Sequence, residues 1–541
     1  MAWQKEALVL ASTLVAYTLS SPDVVVTTSQ GKLRGRSNVV FGNPVETFLG
    51  IPYALPPVGN RRFRKPVPLT TWDGIYDATV PKQSCMQPLP SGSFAANVPF
   101  SEDCLYLNVW TPRTSDSLRR PVLMWFYAGM YMVGSAYVDI YNATVLAASN
   151  DLVVVSCDFR SSMYGFFDSG DDEKGPGNVG LWDQRLVLMW IRDNIAVFGG
   201  DPDRVTLFGA SSGSMLVHAH VLSPQSRGLF RRVYLMSGTL NVNVHADSTS
   251  ESIHKGNKVA AIVGCATPFQ DLTTHTRRVL DCLRNVTADR IDTATVIAML
   301  PGLVFFMPTF RSEFMPMLPS AASDAGQFSP VDAVVSVTSN EGSFAFVNQF
   351  DKRLLDPSLS DIDMETLQAE VEELLRMWIK EKVLPLAQSY VATAVPGNKV
   401  ALRDKAVDFL GMHNAYCQSR FFAEKHSMLA TNVYAQVFAH RSKKSTLPEW
   451  VAASHMDDVP YTFGIPFLEP DKYTDEDRHF SAVLMKSLAA FAKNGVPNIP
   501  GMRDWSPFSA TSPNFVWLQP GNYSLLKDFL GTTCDLWRNF L

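Results

Sequence analysis

Short apolar runs recur along the chain, each bounded by polar or turn-forming residues. They are Leu105–Trp110, Pro121–Tyr127, Leu152–Phe159, Arg204–Phe208, Arg231–Met236, Val331–Thr338 and Asn432–Ala439. Runs of this length, rich in Val, Leu and aromatic residues, read as buried strands. Helical patterns fall between several of them. Over Val179–Val197, Leu181, Leu188, Ile191 and Ile195 recur at helical spacing, and Asp363–Lys382 carries a second such pattern. Alternation of strand and helix predicts an α/β fold, with a large, mostly parallel sheet covered by helices on both faces. Residues 243–330 and 351–415 are less regular and are expected to be insertions that roof the C-terminal edge of the sheet. No stretch has the composition of a flexible linker. One domain over residues 21–541 is therefore expected despite the length.

Composition supports a large core, with 46% hydrophobic and 18% charged residues. The net charge is −5 and no basic stripe occurs, so nucleic acid is not an expected partner. Lys5, the uncharged apolar stretch Ala7–Leu19 and the small residues Ser20 and Ser21 read as a signal peptide over residues 1–20, too short to span a bilayer comfortably. No later run has the length of a membrane span. The seven residues after Cys534 leave no room for a lipid-anchor signal, so the expected location is extracellular. Sequons at Asn142, Asn285 and Asn522 are glycosylation acceptors or chance matches. Of seven cysteines, Cys85 with Cys104 and Cys265 with Cys282 are spaced to close short loops. Cys417 and Cys534 would tie the far end of the chain back, and Cys157 sits in an apolar run as a buried thiol. Spacing alone does not fix the connectivity.

The most specific chemical signal is Gly209-Ala210-Ser211-Ser212-Gly213, a G-x-S-x-G sequence between the strand run Arg204–Phe208 and a helical segment beginning at Ser214. In that context the turn lifts the Ser211 hydroxyl clear of the sheet, glycines let flanking backbones pass closely, and the helix start aims N–H groups at the reacting centre.

Longer motifs extend the picture. Phe48-Leu-Gly-Ile-Pro-Tyr-Ala54, Ser101-Glu-Asp-Cys-Leu-Tyr-Leu-Asn-Val-Trp110, Gly177-Asn-Val-Gly-Leu-Trp-Asp-Gln-Arg185, the run from Asp193 to Arg204 and the run from Ser223 to Arg232 occur in family order. On these residues the chain resembles the type-B carboxylesterase and cholinesterase family over nearly its whole mature length. The resemblance implies an α/β-hydrolase fold and the disulfides Cys85–Cys104, Cys265–Cys282 and, typical of cholinesterase-like members, Cys417–Cys534.

The α/β-hydrolase order places an acid and then a histidine after the serine. Glu341, in Thr338-Ser-Asn-Glu-Gly-Ser-Phe344, follows directly on a strand run and matches the family's acid. His455, in Ala452-Ala-Ser-His-Met-Asp-Asp458, lies in a loop after the last strand run and matches the family's histidine. His440 ends that strand and has the position of a structural residue, while His218 and His220 sit on the helix after Ser211. The expected chemistry is acyl transfer through Ser211, with His455 as base and Glu341 as its partner. It calls for no metal or cofactor.

Three departures from the family pattern qualify this expectation. Where the family carries three glycines, this chain reads Tyr127-Ala128-Gly129-Met130-Tyr131. The resemblance assigns the oxyanion hole to the N–H groups of Gly129, Met130 and Ser212. A methionine is strained there if the position needs positive φ, and its side chain narrows the acyl pocket. Ala210 replaces a glutamate that would favour a cationic substrate. Between Cys85 and Cys104 the only aromatics are Phe94 and Phe100, where cholinesterases place a tryptophan that stacks on the quaternary ammonium. The leading expectation is a secreted esterase for neutral carboxylic esters, with a small-molecule ester as partner. A weakened or inactive binding, scavenging or adhesion protein is the second, and a true cholinesterase the third. Oligomeric state is not legible.

Overall fold

The computed structural model describes residues 23–539, apart from 89–95, 115–117, 242–244, 300–305, 349–350, 430 and 503–504. The signal peptide expected over residues 1–20 and the ring of Phe94 lie outside the described residues.

Thirteen strands form one sheet: β1 Asp23–Thr27, β2 Lys32–Val40, β3 Asn43–Pro52, β4 Ile75–Asp77, β5 Tyr106–Thr111, β6 Arg120–Phe126, β7 Val153–Cys157, β8 Gly200–Ala210, β9 Arg232–Met236, β10 Asp332–Thr338, β11 Val433–Phe438, β12 Phe515–Gln519 and β13 Asn522–Leu526. Their order is β1-β2-β3-β5-β7-β6-β8-β9-β10-β11-β12-β13, with β4 beside β2. From β7 to β12 every neighbouring pair is parallel, and β6, β9, β10 and β11 are buried over nearly their whole length, as is β8 from Val205 to Ala210. Strands covered on both faces must be apolar throughout, which is why these runs stand out in the sequence. The flanks are antiparallel apart from the β2–β4 pair, and on β1–β4 and β13 exposed residues interrupt the apolar ones. The pattern predicted no strand for β1–β4, β12 or β13, although Phe515–Leu518 of β12 is a largely buried apolar run. This is the large, mostly parallel sheet of the α/β-hydrolase fold, with helices on both faces.

Helices α1 Val179–Asn194, α2 Ser212–Leu222, α3 Thr249–Ile262, α4 Met364–Trp378, α5 Lys399–Gly411 and α6 Asp475–Asn494 bear on the site. The first is shorter than its periodic pattern because it tightens into a 3-10 turn, Ile195–Phe198, closed by Gly199 at φ 76°. Helix α4 starts where Asp363 accepts the Thr366 N–H, and it stops at Ile379, whose backbone is extended. Helices α3 and α6 open with capping boxes, Ser248 with Glu251 and Thr474 with Asp477, which satisfy donors that a helix start leaves unpaired. No helix among the described residues is long and apolar enough to cross a membrane.

The insertions differ from each other. Residues 245–299 and 306–330 pack into the main core, through Val259, Leu272, Leu280, Ile291 and Phe314. The second insertion has a core of its own, in which Leu367, Leu374, Ala406, Phe409 and Leu410 meet Cys417, Cys534 and Trp537. Three disulfides are formed, Cys85–Cys104, Cys265–Cys282 and Cys417–Cys534, and the last ties the C-terminus to this second core. Cys157 is free and buried, and burial pushes its thiol well above the usual range. Asn142, Asn285 and Asn522 are all exposed.

Candidate active site

Ser211 follows β8 directly and precedes α2, at φ 54° and ψ −127°. A non-glycine residue rarely adopts that conformation, and the surroundings must hold it there. They do so by close packing. A Cβ on Gly213 would lie 2.1 Å from the Phe126 carbonyl oxygen, and one on Gly209 would lie 2.6 Å from the Gly213 carbonyl carbon. Only glycines allow β8, α2 and the end of β6 to meet so closely. The Ser211 N–H donates to the Met236 carbonyl at 2.8 Å, which locks the turn to β9.

Glu341 stands in the loop after β10. Its Oε1 accepts the Thr338 N–H at 2.6 Å and the Ser237 hydroxyl at 2.7 Å. Its Oε2 receives the other contact, His455 Nδ1 at 2.6 Å. The Glu341 side chain is 1% exposed and that of His455 11%. A buried carboxylate with this set of donors has a fixed orientation, and the imidazole is fixed with it. The two loops are also joined to each other: the Asn340 N–H donates to the Ala453 carbonyl, and Ser343 bonds Ser454 at 2.9 Å. Phe344 packs edge-on against the His455 ring at 5.0 Å.

Ser211, Glu341 and His455 line one cavity of about 780 Å³, together with Gly129, Met130 and Ser212. The structure thus brings together all six residues that the sequence singled out for chemistry. The Ser211 hydroxyl has no hydrogen-bond partner among the described residues, so serine and imidazole share the cavity without a formed bond. Such contacts commonly close only around substrate.

The Gly129–Tyr131 loop keeps a glycine-like backbone without the glycines. Gly129 has φ 135°, Met130 57° and Tyr131 62°. Position 129 admits no side chain, since a Cβ there would sit 1.9 Å from the Val133 carbonyl oxygen. The Met132 and Val133 N–H groups both donate to the Gly129 carbonyl, at 2.9 and 3.0 Å. The strain at Met130 and Tyr131, about 1–3 kcal/mol each, is held by packing: the Tyr131 ring meets Phe166 at 5.5 Å, and its hydroxyl donates to Met215 Sδ at 3.0 Å. Among the described residues neither the Gly129 nor the Met130 N–H has a protein acceptor.

His440, His218 and His220 have structural settings, while His245, His254 and His413 also line the cavity. His440 Nε2 meets Asp477 at 2.6 Å, at the start of α6. His218 accepts the Leu240 N–H, and His220 bonds Ser226 and Gln184. Burial lowers both to about 3 and keeps them neutral. Beside His455, burial pushes Asp457 up to about 6 and Asp458 to about 7. Neither carboxylate oxygen of Asp458 has a hydrogen-bond partner among the described residues. Ala210 is fully buried in β8. Ser237, at φ 56° immediately after β9, is a contributor that the motifs did not reveal. Its only sequence signal is a small residue directly after a strand run.

The chain is 31% identical over 545 aligned positions to an acetylcholinesterase of Leptinotarsa decemlineata, covering 96% of this chain and 86% of that protein. It is 32% identical over 540 positions to a cholinesterase of Mus musculus, covering 96% and 87%. Residues 22–537 match the carboxylesterase family, and the chain belongs to that family.

Proposed function

We propose that the chain is a secreted serine esterase that hydrolyses carboxylic esters through Ser211, His455 and Glu341. The observation that carries this reading is the hydrogen-bonded pair Glu341–His455 facing the cavity into which the strained turn presents Ser211. His455 Nε2 takes the Ser211 proton as Oγ attacks the ester carbonyl. Glu341 holds the proton on Nδ1 and stabilises the imidazolium that forms. The carbonyl oxygen, now negative, accepts from the N–H groups of Gly129, Met130 and Ser212, which need no reorganisation to receive it. The imidazolium returns the proton to the leaving alcohol, and the acyl group stays on Ser211. Water, deprotonated by His455, then attacks the acyl carbonyl and releases the acid.

The setting is a single folded unit over residues 21–541, with residues 1–20 removed as a signal peptide and Asn142, Asn285 and Asn522 glycosylated. Three disulfides and exposed sequons suit an oxidising, extracellular location. The relatives are named as cholinesterases, yet Ala210 supplies no charge for a cationic substrate, and Phe100 is an exposed phenyl where an indole would be needed. A binding protein without turnover is the second reading, favoured by the strained Met130 in the oxyanion loop.

Hydrolysis of 4-nitrophenyl acetate and butyrate by the purified protein, against Ser211→Ala, tests the proposal. Turnover that falls by at least about 10³-fold in the variant supports it. Equal rates in the two proteins would leave the binding protein as the better reading.

A further inference from the structure

The cavity that holds Ser211 opens between two basic segments, one face of α3 and the stretch from Arg376 to Lys382 at the end of α4. Besides Glu341, the lining carries five Lys or Arg residues and three Asp or Glu residues. That excess of positive charge stands out in a chain whose net charge is −5. Two of the acids are held within the wall. Asp247 contacts Lys255 Nζ at 2.5 Å and lies 3.7 Å from Lys380. Glu251 accepts the Ser248 N–H at 2.7 Å and lies 3.5 Å from Lys380. The third, Glu381, is exposed at the rim between Lys380 and Lys382.

Lys258 and Lys382 remain. Both are exposed, and neither has a carboxylate within ion-pair distance among the described residues. Among the described residues Arg376 is bonded only to Glu372, one turn back on its own helix, at 2.6 Å. A mouth with this balance raises the local concentration of anions and repels cations, and low-dielectric walls concentrate the field.

We propose that the preferred substrates are esters carrying an anionic group, such as a carboxylate, on the end that stays at the mouth. Lys258 and Lys382 hold that group while the scissile carbonyl reaches Ser211. This inference rests on the esterase reading above. Coulomb attraction across about 4 Å of water corresponds to a factor of about 5 per lysine. The advantage shrinks as the screening length falls from about 30 Å at 0.01 M salt to about 3 Å at 1 M.

The test compares kcat/KM for 4-nitrophenyl hemiglutarate and 4-nitrophenyl butyrate, which differ by a terminal carboxylate. The expected anionic-to-neutral ratio exceeds about 10 at low salt, drops several-fold at 1 M, and falls at least about 20-fold in Lys258→Glu/Lys382→Glu. A ratio near one that neither salt nor the variant changes overturns the inference, while Ser211-dependent turnover of butyrate leaves the esterase standing. If neither ester is hydrolysed, the esterase reading fails. Binding of the same two esters to the unaltered protein then decides. Tighter binding of the hemiglutarate that the double variant loses supports anion recognition, and equal binding refutes it.

Discussion

At the scale of single residues, the site is built from side chains held where their own preferences would not put them. Ser211, Ser237, Met130 and Tyr131 all have positive φ, and each lies at the end of a strand or in the loop that follows one. Met130→Gly relieves one of these positions. It is expected to stabilise the fold by about 1 kcal/mol and to raise kcat/KM for bulky acyl esters about tenfold, because the cavity also gains the volume of the side chain. Denaturant unfolding and an acyl-chain series check the two effects separately. Asp458 gives a pH prediction. Its carboxyl is raised to about 7 by burial, with Glu341 acting in the same direction, against an ordinary value near 4 in the unfolded chain. The folded state therefore holds a proton that the unfolded state releases. The stabilisation is complete below about pH 4 and is lost as the pH rises towards 7, by at most about 4 kcal/mol. Asp458→Asn removes the ionisation, so the difference in unfolding free energy between variant and parent should grow in favour of the variant from pH 4 to 7. A constant difference across that range contradicts the assignment.

At the scale of elements, four loops at the C-terminal ends of parallel strands supply the proposed chemistry, those after β6, β8, β10 and β11, and the last two are bonded to each other. A Cβ on Gly342 would lie 1.8 Å from the Val407 carbonyl oxygen, so the residue after Glu341 is the point where the sheet touches α5. Gly342→Ala forces that helix and the Glu341 loop apart. It is expected to cost about 1–3 kcal/mol in stability and, through displacement of Glu341, up to about 10²-fold in kcat with a smaller change in KM. The sequence disclosed β5–β11 because strands buried on both faces have no polar alternation to blur them. Strand ends and local motifs also marked Ser211, Glu341 and His455, which line one cavity. The sequence did not disclose β1–β4 or β13, where exposed residues interrupt the apolar ones, and it passed over β12 although Phe515–Leu518 is a largely buried apolar run. It also missed Ser237, because a lone serine after a strand has no distinguishing pattern until β9 and β10 are seen side by side.

At the scale of the molecule, the sheet shares one core with the first insertion while the second insertion has its own, and the Cys417–Cys534 bridge lies in the latter. The bridge closes 117 residues of chain. Replacing both cysteines by serine is expected to cost about 2–5 kcal/mol. Hydrogen exchange should locate the loss in α4 and α5 and leave β6, β8 and β9 protected. Uniform loss of protection would show instead that the second insertion and the sheet unfold as one unit. If the shared cavity makes Ser211 a nucleophile, a phosphonofluoridate labels it, and peptide mass spectrometry reads the label. One phosphonyl group per chain is expected, on Ser211, with labelling slowed at least about 10³-fold in His455→Ala. Labelling of another residue, or none under conditions that modify an ordinary serine esterase, would show that Ser211 is not the nucleophile.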